Sequence, residues 1–290
     1  MINGIIYPHE HITIDLSKGK NDLDCRLDVK EETIRELNEL KKLGVNKIID
    51  VTNKGMGRNV RYVEDVAYKT NIEIYCSTGY YKEPFLPLEV YELNERELSL
   101  IMIKEILFGI EDTKIKAKVI GEIGTSKDGI FPMEEKVFKA SARAHIDTGA
   151  PIVTHTTLGK LGLEQVKIFK EYGANMGKIV ISHVDLSGDL DYILRLIESG
   201  VNIAFDTVGK INYQKDEKRI ELIQNLCKQN LSNKILLSMD ITRKSHLKFK
   251  GGIGYSYLLE NFIPKLQQVG IKQEDIENML VNNAERIFFS

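Results

Sequence analysis

The sequence predicts one α/β domain over residues 1–290, a (β/α)8 barrel of the TIM type. Three observations predict it. Eight short β-type runs alternate with longer amphipathic runs. Glycines stand at the exits of the amphipathic runs, and no glycine-rich nucleotide loop favours the doubly wound open sheet that competes with a barrel. The chain is longer than a usual domain, but this fold routinely spends about 250 residues on one.

Taken in order, the strands are expected at residues 4–7, 47–51, 73–77, 117–121, 151–154, 178–182, 202–205 and 234–238, all short runs rich in Ile, Val and Leu. Helical patterns lie between them, at 30–43, 59–69, a stretch within 88–110, 134–148, 161–172, 190–198, 217–229 and 257–268. In the fourth, Val137, Phe138, Ala140, Ala144 and Ile146 recur near the 3.6-residue period. Exits are marked by Gly44, Gly149-Ala150-Pro151, Gly173, Gly200 and Gly270. A last helix, about 273–288, closes the chain. No shift of composition or Pro/Ser-rich linker divides it.

Composition excludes several functions. With 40 Lys and Arg against 42 Asp and Glu, there is no basic stripe for a nucleic-acid partner. No apolar run approaches the roughly 20 residues of a membrane span, and the N-terminus lacks the basic and apolar regions of a signal peptide. Cys25, Cys76 and Cys227 are odd in number and widely spaced, which fits free thiols in a reducing, cytoplasmic compartment.

Barrel enzymes place their chemistry at the C-terminal strand ends. Here those ends deliver His9 and His11 from strand 1, Glu122 from strand 4, His155 from strand 5, His183 from strand 6 and Asp240 from strand 8. In an extended segment residues i and i+2 share a face, so His9 and His11 can grip one cation together. A lone strand-end histidine is usually structural, but four of the six histidines, on three strands, gather at one mouth. Four imidazoles and two carboxylates suit Zn²⁺, Mn²⁺ or Co²⁺. They exceed the three protein ligands of one catalytic zinc, so two divalent ions are expected. Ions about 3.5–4 Å apart support metal-assisted hydrolysis, with Asp240 both ligand and proton acceptor. Of the remaining histidines, His145 lies within the fourth helix and His246 in the loop after strand 8, where it is placed near substrate.

The segments His9-Glu10-His11, Gly121-Glu122-Ile123-Gly124-Thr125, Pro151-Ile152-Val153-Thr154-His155-Thr156, Ser182-His183-Val184-Asp185 and Met239-Asp240-Ile241-Thr242-Arg243 resemble the phosphotriesterase-like family of the amidohydrolase superfamily, over nearly the full length. The resemblance implies that His9, His11 and Asp240 hold a more buried ion and that His155 and His183 hold a more exposed one. A bridging residue would be shared. Members that cleave paraoxon or quorum lactones bridge with a carboxylated lysine at the end of strand 4, whereas this chain has Glu122. That departure moves the expected substrate away from phosphotriesters, toward the phosphorylated sugar lactones cleaved by members with a bridging glutamate.

In this fold the loops after strands 7 and 8 form a phosphate site, and here they carry Lys210 and Arg243, a point charge and a bidentate fork. Salt bridges on the rim are the alternative use of both. Asp206, at the end of strand 7, is either an acceptor for a substrate hydroxyl or a structural hydrogen-bond partner for the loop. Tyr81 matches a tyrosine that faces the metals in the lactonase branch; its phenol would donate to a lactone oxygen or merely pack. The expected activity is opening of a small lactone. The alternatives are a phosphotriester or other phosphoester hydrolase, disfavoured by the lack of Trp for an aromatic leaving-group pocket, and a catalytically silent barrel. A small-molecule substrate and a homodimer contact through the apolar segment 85–88 complete the expectations.

Overall fold

The structure is a computed structural model that describes residues 2–290. All eight expected barrel strands are present: Ile5–Glu10, Val45–Asp50, Glu73–Tyr75 continued by Ser77–Thr78, Val119–Thr125, Ile152–Thr156, Ile179–Ser182, Asn202–Phe205 and Ile235–Leu237. Neighbours pair in parallel in sequence order. The third strand breaks at Cys76, whose carbonyl still accepts from Lys118 N at 2.8 Å.

The closing seam, between strands 8 and 1, has no backbone ladder among the described residues. One carboxylate joins them instead. Glu10 accepts at Oε1 from Ser238 Oγ and Met239 N, both at 2.7 Å, and at Oε2 from Ile241 N at 3.1 Å. His9 N donates back to Ser238 Oγ at 3.3 Å.

The helices follow their caps. Asn94 and Glu97 form a reciprocal capping box at the start of Glu95–Leu107. Glu134 accepts from Phe131 N at 3.0 Å where Pro132–Thr148 begins, and Gly149, at φ 72°, ends that helix. The closing helix starts at Gln273–Glu277 and continues through π-type turns to Phe289.

Two cores result. Strand faces that point outward pack on the helices. Inside the barrel, Ile6, Ile49, Val119, Val153, Val180, Ala204 and Leu236 form an apolar floor, covered from the N-terminal side by Ala284, Ile287 and Phe288 of the closing helix. Strand alternation then sets the site: two residues beyond Val153 comes His155, and two beyond Ala204 comes Asp206, each on the face that continues the barrel interior.

Strands 1, 4 and 5 run further than expected, through Glu10, Thr125 and Thr156. Apolar patterning stops a strand at its first polar residue, but this barrel is polar inside at its top. An antiparallel ribbon, Ile14–Asp15 with Arg26–Leu27, follows strand 1 and was not foreseen. The segment 85–88 is not an exposed apolar strip: Leu86 is buried, Phe85 lies 5.7 Å from the Tyr81 ring, and Leu88 alone is well exposed. All three cysteines are free, and no helix among the described residues is long and apolar enough to cross a membrane.

Candidate metal centre

The six expected ligands converge at the C-terminal mouth. His9 is anchored from outside: its Nδ1 lies 3.0 Å from Ser182 Oγ and 3.1 Å from Asp206 Oδ2. Its Nε2 therefore faces inward, 3.4 Å from Glu122 Oε2 and 3.7 Å from Asp240 Oδ1. His11 is held likewise, with Nδ1 2.8 Å from Thr52 Oγ1 and Nε2 3.3 Å from Asp240 Oδ1 and 3.5 Å from Glu122 Oε1. Asp50 accepts from Thr52 N at 2.8 Å and so fixes the group that fixes His11.

A second cluster shares Glu122. His155 Nδ1 lies 3.2 Å and His183 Nε2 3.5 Å from its Oε2. Those two ring nitrogens are 2.9 Å apart. His183 Nδ1 lies 2.7 Å from Asp206 Oδ1, which also accepts from His183 N at 2.9 Å. Asp206 thus positions one histidine of each cluster, rather than the loop after its own strand.

Three observations fit these residues to two divalent ions. His9 Nε2 and His11 Nε2 are buried polar atoms with no hydrogen-bond partner. The anchored Nδ1 atoms of His9, His11 and His183 point away from the centre, which fixes ring orientation as outer partners of metal-binding histidines do. The field also favours positive charge: burial opposes protonation, yet the carboxylates of Asp206 and Glu122 raise His9 to about 10, and those of Asp240 and Glu122 raise His11 to about 9. Against the same opposing burial, His155, His11 and His183 hold Glu122 well below the ordinary carboxylate range. His9, His11 and Glu122 form one potential ion site, and Glu122, His155 and His183 form the other.

Asp240 stands beside the first cluster, at a left-handed φ of 50°. Its Oδ2 lies 2.5 Å from Lys210 Nζ, which also donates to the Asp240 backbone carbonyl. Burial notwithstanding, the Lys210 charge holds Asp240 well below its usual pKa. His183 is also left-handed, at φ 60°, and such rare backbone collects at functional sites. The glycine before Glu122 is required by contact: at φ 133°, a Cβ on Gly121 would lie 2.0 Å from Val153 O.

A cavity of about 210 Å³ opens above the centre and is lined by Tyr81, Lys210, Arg243 and His246 among others. Tyr81 OH lies 3.2 Å from His155 Nδ1. Arg243 Nη1 pairs with Asp22 Oδ2 at 2.7 Å, on the rim. His246 Nδ1 accepts from Thr242 N at 3.2 Å, and burial plus the Lys210 charge push its pKa down to about 3. His145 sits away from the mouth, buried in its helix between Ala150 O and Asn175 N.

Sequence reasoning passed over Glu10. It lies between two ligands, points the other way, and accepts from the segment that carries Asp240, including Asp240 N at 3.3 Å. Part of its signal was available in the alternation itself: a carboxylate flanked by two inward histidines faces away from the barrel interior, where it must find donors to be buried.

Comparison with known proteins agrees with this geometry. Residues 3–288 match the Phosphotriesterase family. The chain is 46% identical over 285 residues, 98% of each protein, to the phosphotriesterase homology protein of Escherichia coli (strain K12). A crystal structure of that E. coli protein, complexed with phosphate in its active site, matches with a TM-score of 0.97 at 45% identity over 99% of each chain. A lactonase from Listeria monocytogenes matches with a TM-score of 0.93 at 28% identity, over 98% of this chain and 94% of that one. The N-acetyltaurine hydrolase of Dictyostelium discoideum is 34% identical over 289 residues, 94% of this chain and 77% of its own. A barrel shared from end to end and paired His/Glu clusters at its mouth lead to one conclusion: the chain belongs to the phosphotriesterase family and is a metal-dependent hydrolase with a binuclear, histidine-rich site.

Proposed function

We propose that this hydrolase opens a small lactone, with phosphorylated sugar lactones as its substrate class and two ions of the Zn²⁺, Mn²⁺ or Co²⁺ type as its cofactors. The observation that carries the reading is Glu122, a native carboxylate whose Oε2 lies within 3.5 Å of nitrogens of His9, His155 and His183. It joins the two clusters without a modified lysine. Bound divalent ions supply an acidified water and polarisation of the carbonyl under attack.

The protein's own groups do the rest. Asp240 directs Oδ1 to the centre and keeps Oδ2 at Lys210. Lys210 keeps that carboxylate ionised, so it accepts a proton and returns it to the ring oxygen that leaves. The Tyr81 hydroxyl, beside His155, donates to a lactone oxygen. Lys210 and Arg243 draw in the phosphate from the cavity wall. Asp22, which holds Arg243, is 44% exposed, so an incoming dianion displaces only a weak surface pair. His246, neutral in the same wall, contacts substrate hydroxyls.

A second reading has its own support. Likeness to an N-acetyltaurine hydrolase favours attack on an amide carbonyl by the same centre, and the phosphate in the E. coli structure keeps phosphoester hydrolysis in view. Rates on phosphorylated and unphosphorylated aldonolactones, N-acetyltaurine and a phosphotriester, measured with metal-loaded protein, decide among them. Faster turnover of the phosphorylated lactones is expected; no advantage over their unphosphorylated partners, or a faster amide, overturns the proposal. Metal analysis of gently purified protein should give two ions per chain, and fewer than about one would favour a silent barrel.

A further inference from the structure

Four cationic side chains line the cavity: Lys20, Lys82, Lys210 and Arg243. Two already have partners. Lys210 is matched by Asp240 and Arg243 by Asp22. Lys20 and Lys82 have no carboxylate oxygen within the 4.0 Å of an ion pair among the described residues. Positive charge in the lining is therefore in surplus at these two lysines.

Lys82 is the half-buried member of that pair. Its ammonium reaches the Glu83 carbonyl at 3.2 Å and lies 5.7 Å from the Tyr81 ring centroid. Its stem rests on strand 4 beside the metal ligands: a Cβ on Gly124 would lie 3.1 Å from Lys82 Cδ and 3.2 Å from His155 Cβ. Glycine at 124 thus leaves the room that the lysine stem fills. Burial lowers the Lys82 pKa and the Lys20 charge adds to the effect, while Glu134 opposes it. Glu134 is itself engaged by Ser126 and by the backbone N–H groups of Glu83, Ser126 and Phe131. An ammonium that has lost water without gaining a carboxylate favours the approach of an anion.

We infer that Lys82, with Lys20 beyond it, is the docking point for a tetrahedral oxyanion carried by the substrate, a phosphate monoester or a sulfonate. The inference rests on the hydrolase reading only in taking this cavity as the substrate site. Lys82 is then a specificity determinant that sorts anionic from neutral substrates beside Tyr81 and His155, and it adds to the attraction that Lys210 and Arg243 exert on the same anion.

The test is calorimetric titration of inorganic phosphate and of methanesulfonate into the metal-loaded protein and its Lys82→Gln, Lys82→Arg and Lys20→Gln variants. Lys82→Gln should weaken the better ligand about tenfold or more, the size of one charge-assisted contact. Lys82→Arg should restore it, which a merely structural role would not do. Tighter phosphate assigns a phosphate monoester, and tighter methanesulfonate assigns a sulfonate. An anion held by the metal ions alone would not sense these lysines, so unchanged affinity in both Gln variants overturns the inference. With a turned-over substrate, Lys82→Gln should raise KM for the anionic member of a matched pair, leave kcat within twofold, and spare the neutral member. Lys82-dependent binding without lactone turnover would sink the lactonase proposal alone; lactone turnover with Lys82-independent binding would sink this one alone.

Discussion

Replacing Gly121 with alanine tests whether the backbone beside Glu122 has room for anything but glycine. A Cβ there would meet the Val153 carbonyl oxygen at 2.0 Å, far inside contact distance, in backbone at φ 133°. Holding an L-residue in such backbone costs about 1–3 kcal/mol, and forcing strand 5 away from strand 4 adds about 1–3 kcal/mol of overpacking. A total near 4 kcal/mol corresponds to a loss of Tm on the order of 10 °C for a chain of this size. Gly149→Ala is the control, because Gly149 also has positive φ, 72°, but no atom within 4 Å of the point an alanine Cβ would occupy. It isolates the dihedral cost. Differential scanning calorimetry of metal-free protein and metal analysis of the loaded protein give the two readouts. Gly121→Ala should melt well below Gly149→Ala and bind less metal, since Glu122 and Val153 move together. Equal melting temperatures and full metal content in both variants would refute the reasoning.

Three further outcomes are expected. Glu10→Gln turns an amide N–H₂ toward donors that now share a carboxylate, so stability should fall by on the order of 2–4 kcal/mol and metal affinity should fall with it; chemical denaturation and metal titration check both. Asp240→Asn should stay folded, because the Asn oxygen and the residue's own carbonyl still accept from Lys210, yet lose about 10²–10⁴ in kcat; activity within twofold of the parent removes Asp240 as proton acceptor. Burial keeps His145 neutral, with its folded pKa lowered. The unfolded chain therefore takes up that proton first, and stability present above about pH 6.5 declines as pH falls toward the lower folded pKa. Denaturation across pH 5–8 should show a shallower acid slope in His145→Gln than in the parent, and an unchanged slope would remove His145 as a contributor.

The barrel was legible because its two periodicities are clean: short Ile/Val/Leu strands and helices such as 134–148 with one apolar face. The residues that gather at the mouth were legible because each ends an apolar run. Strand limits were less so, since Glu122 and His155 look like loop residues to any rule that equates a strand with apolar side chains, although both lie within strands. The break at Cys76 depends on a pairing distant in sequence, and the ribbon at Ile14–Asp15 pairs two residues on each side, too few for a periodicity to show. In one dimension Lys210 and Arg243 read equally as phosphate anchors and as members of rim salt bridges. Their partners, Asp240 and Asp22, are 30 and 221 residues away, and only folding brings them together.

The carboxylate seam has a consequence for how the molecule is made. Glu10 leaves the ribosome at the start of synthesis, and the groups it must latch, Ser238 to Ile241, emerge more than two hundred residues later. A nascent chain can pair strands 1 to 7 and still lack both its closure and Asp240. Closure of the ring and the arrival of Asp240 beside the first cluster are therefore a single event, and a chain stopped short of Ser238 has neither.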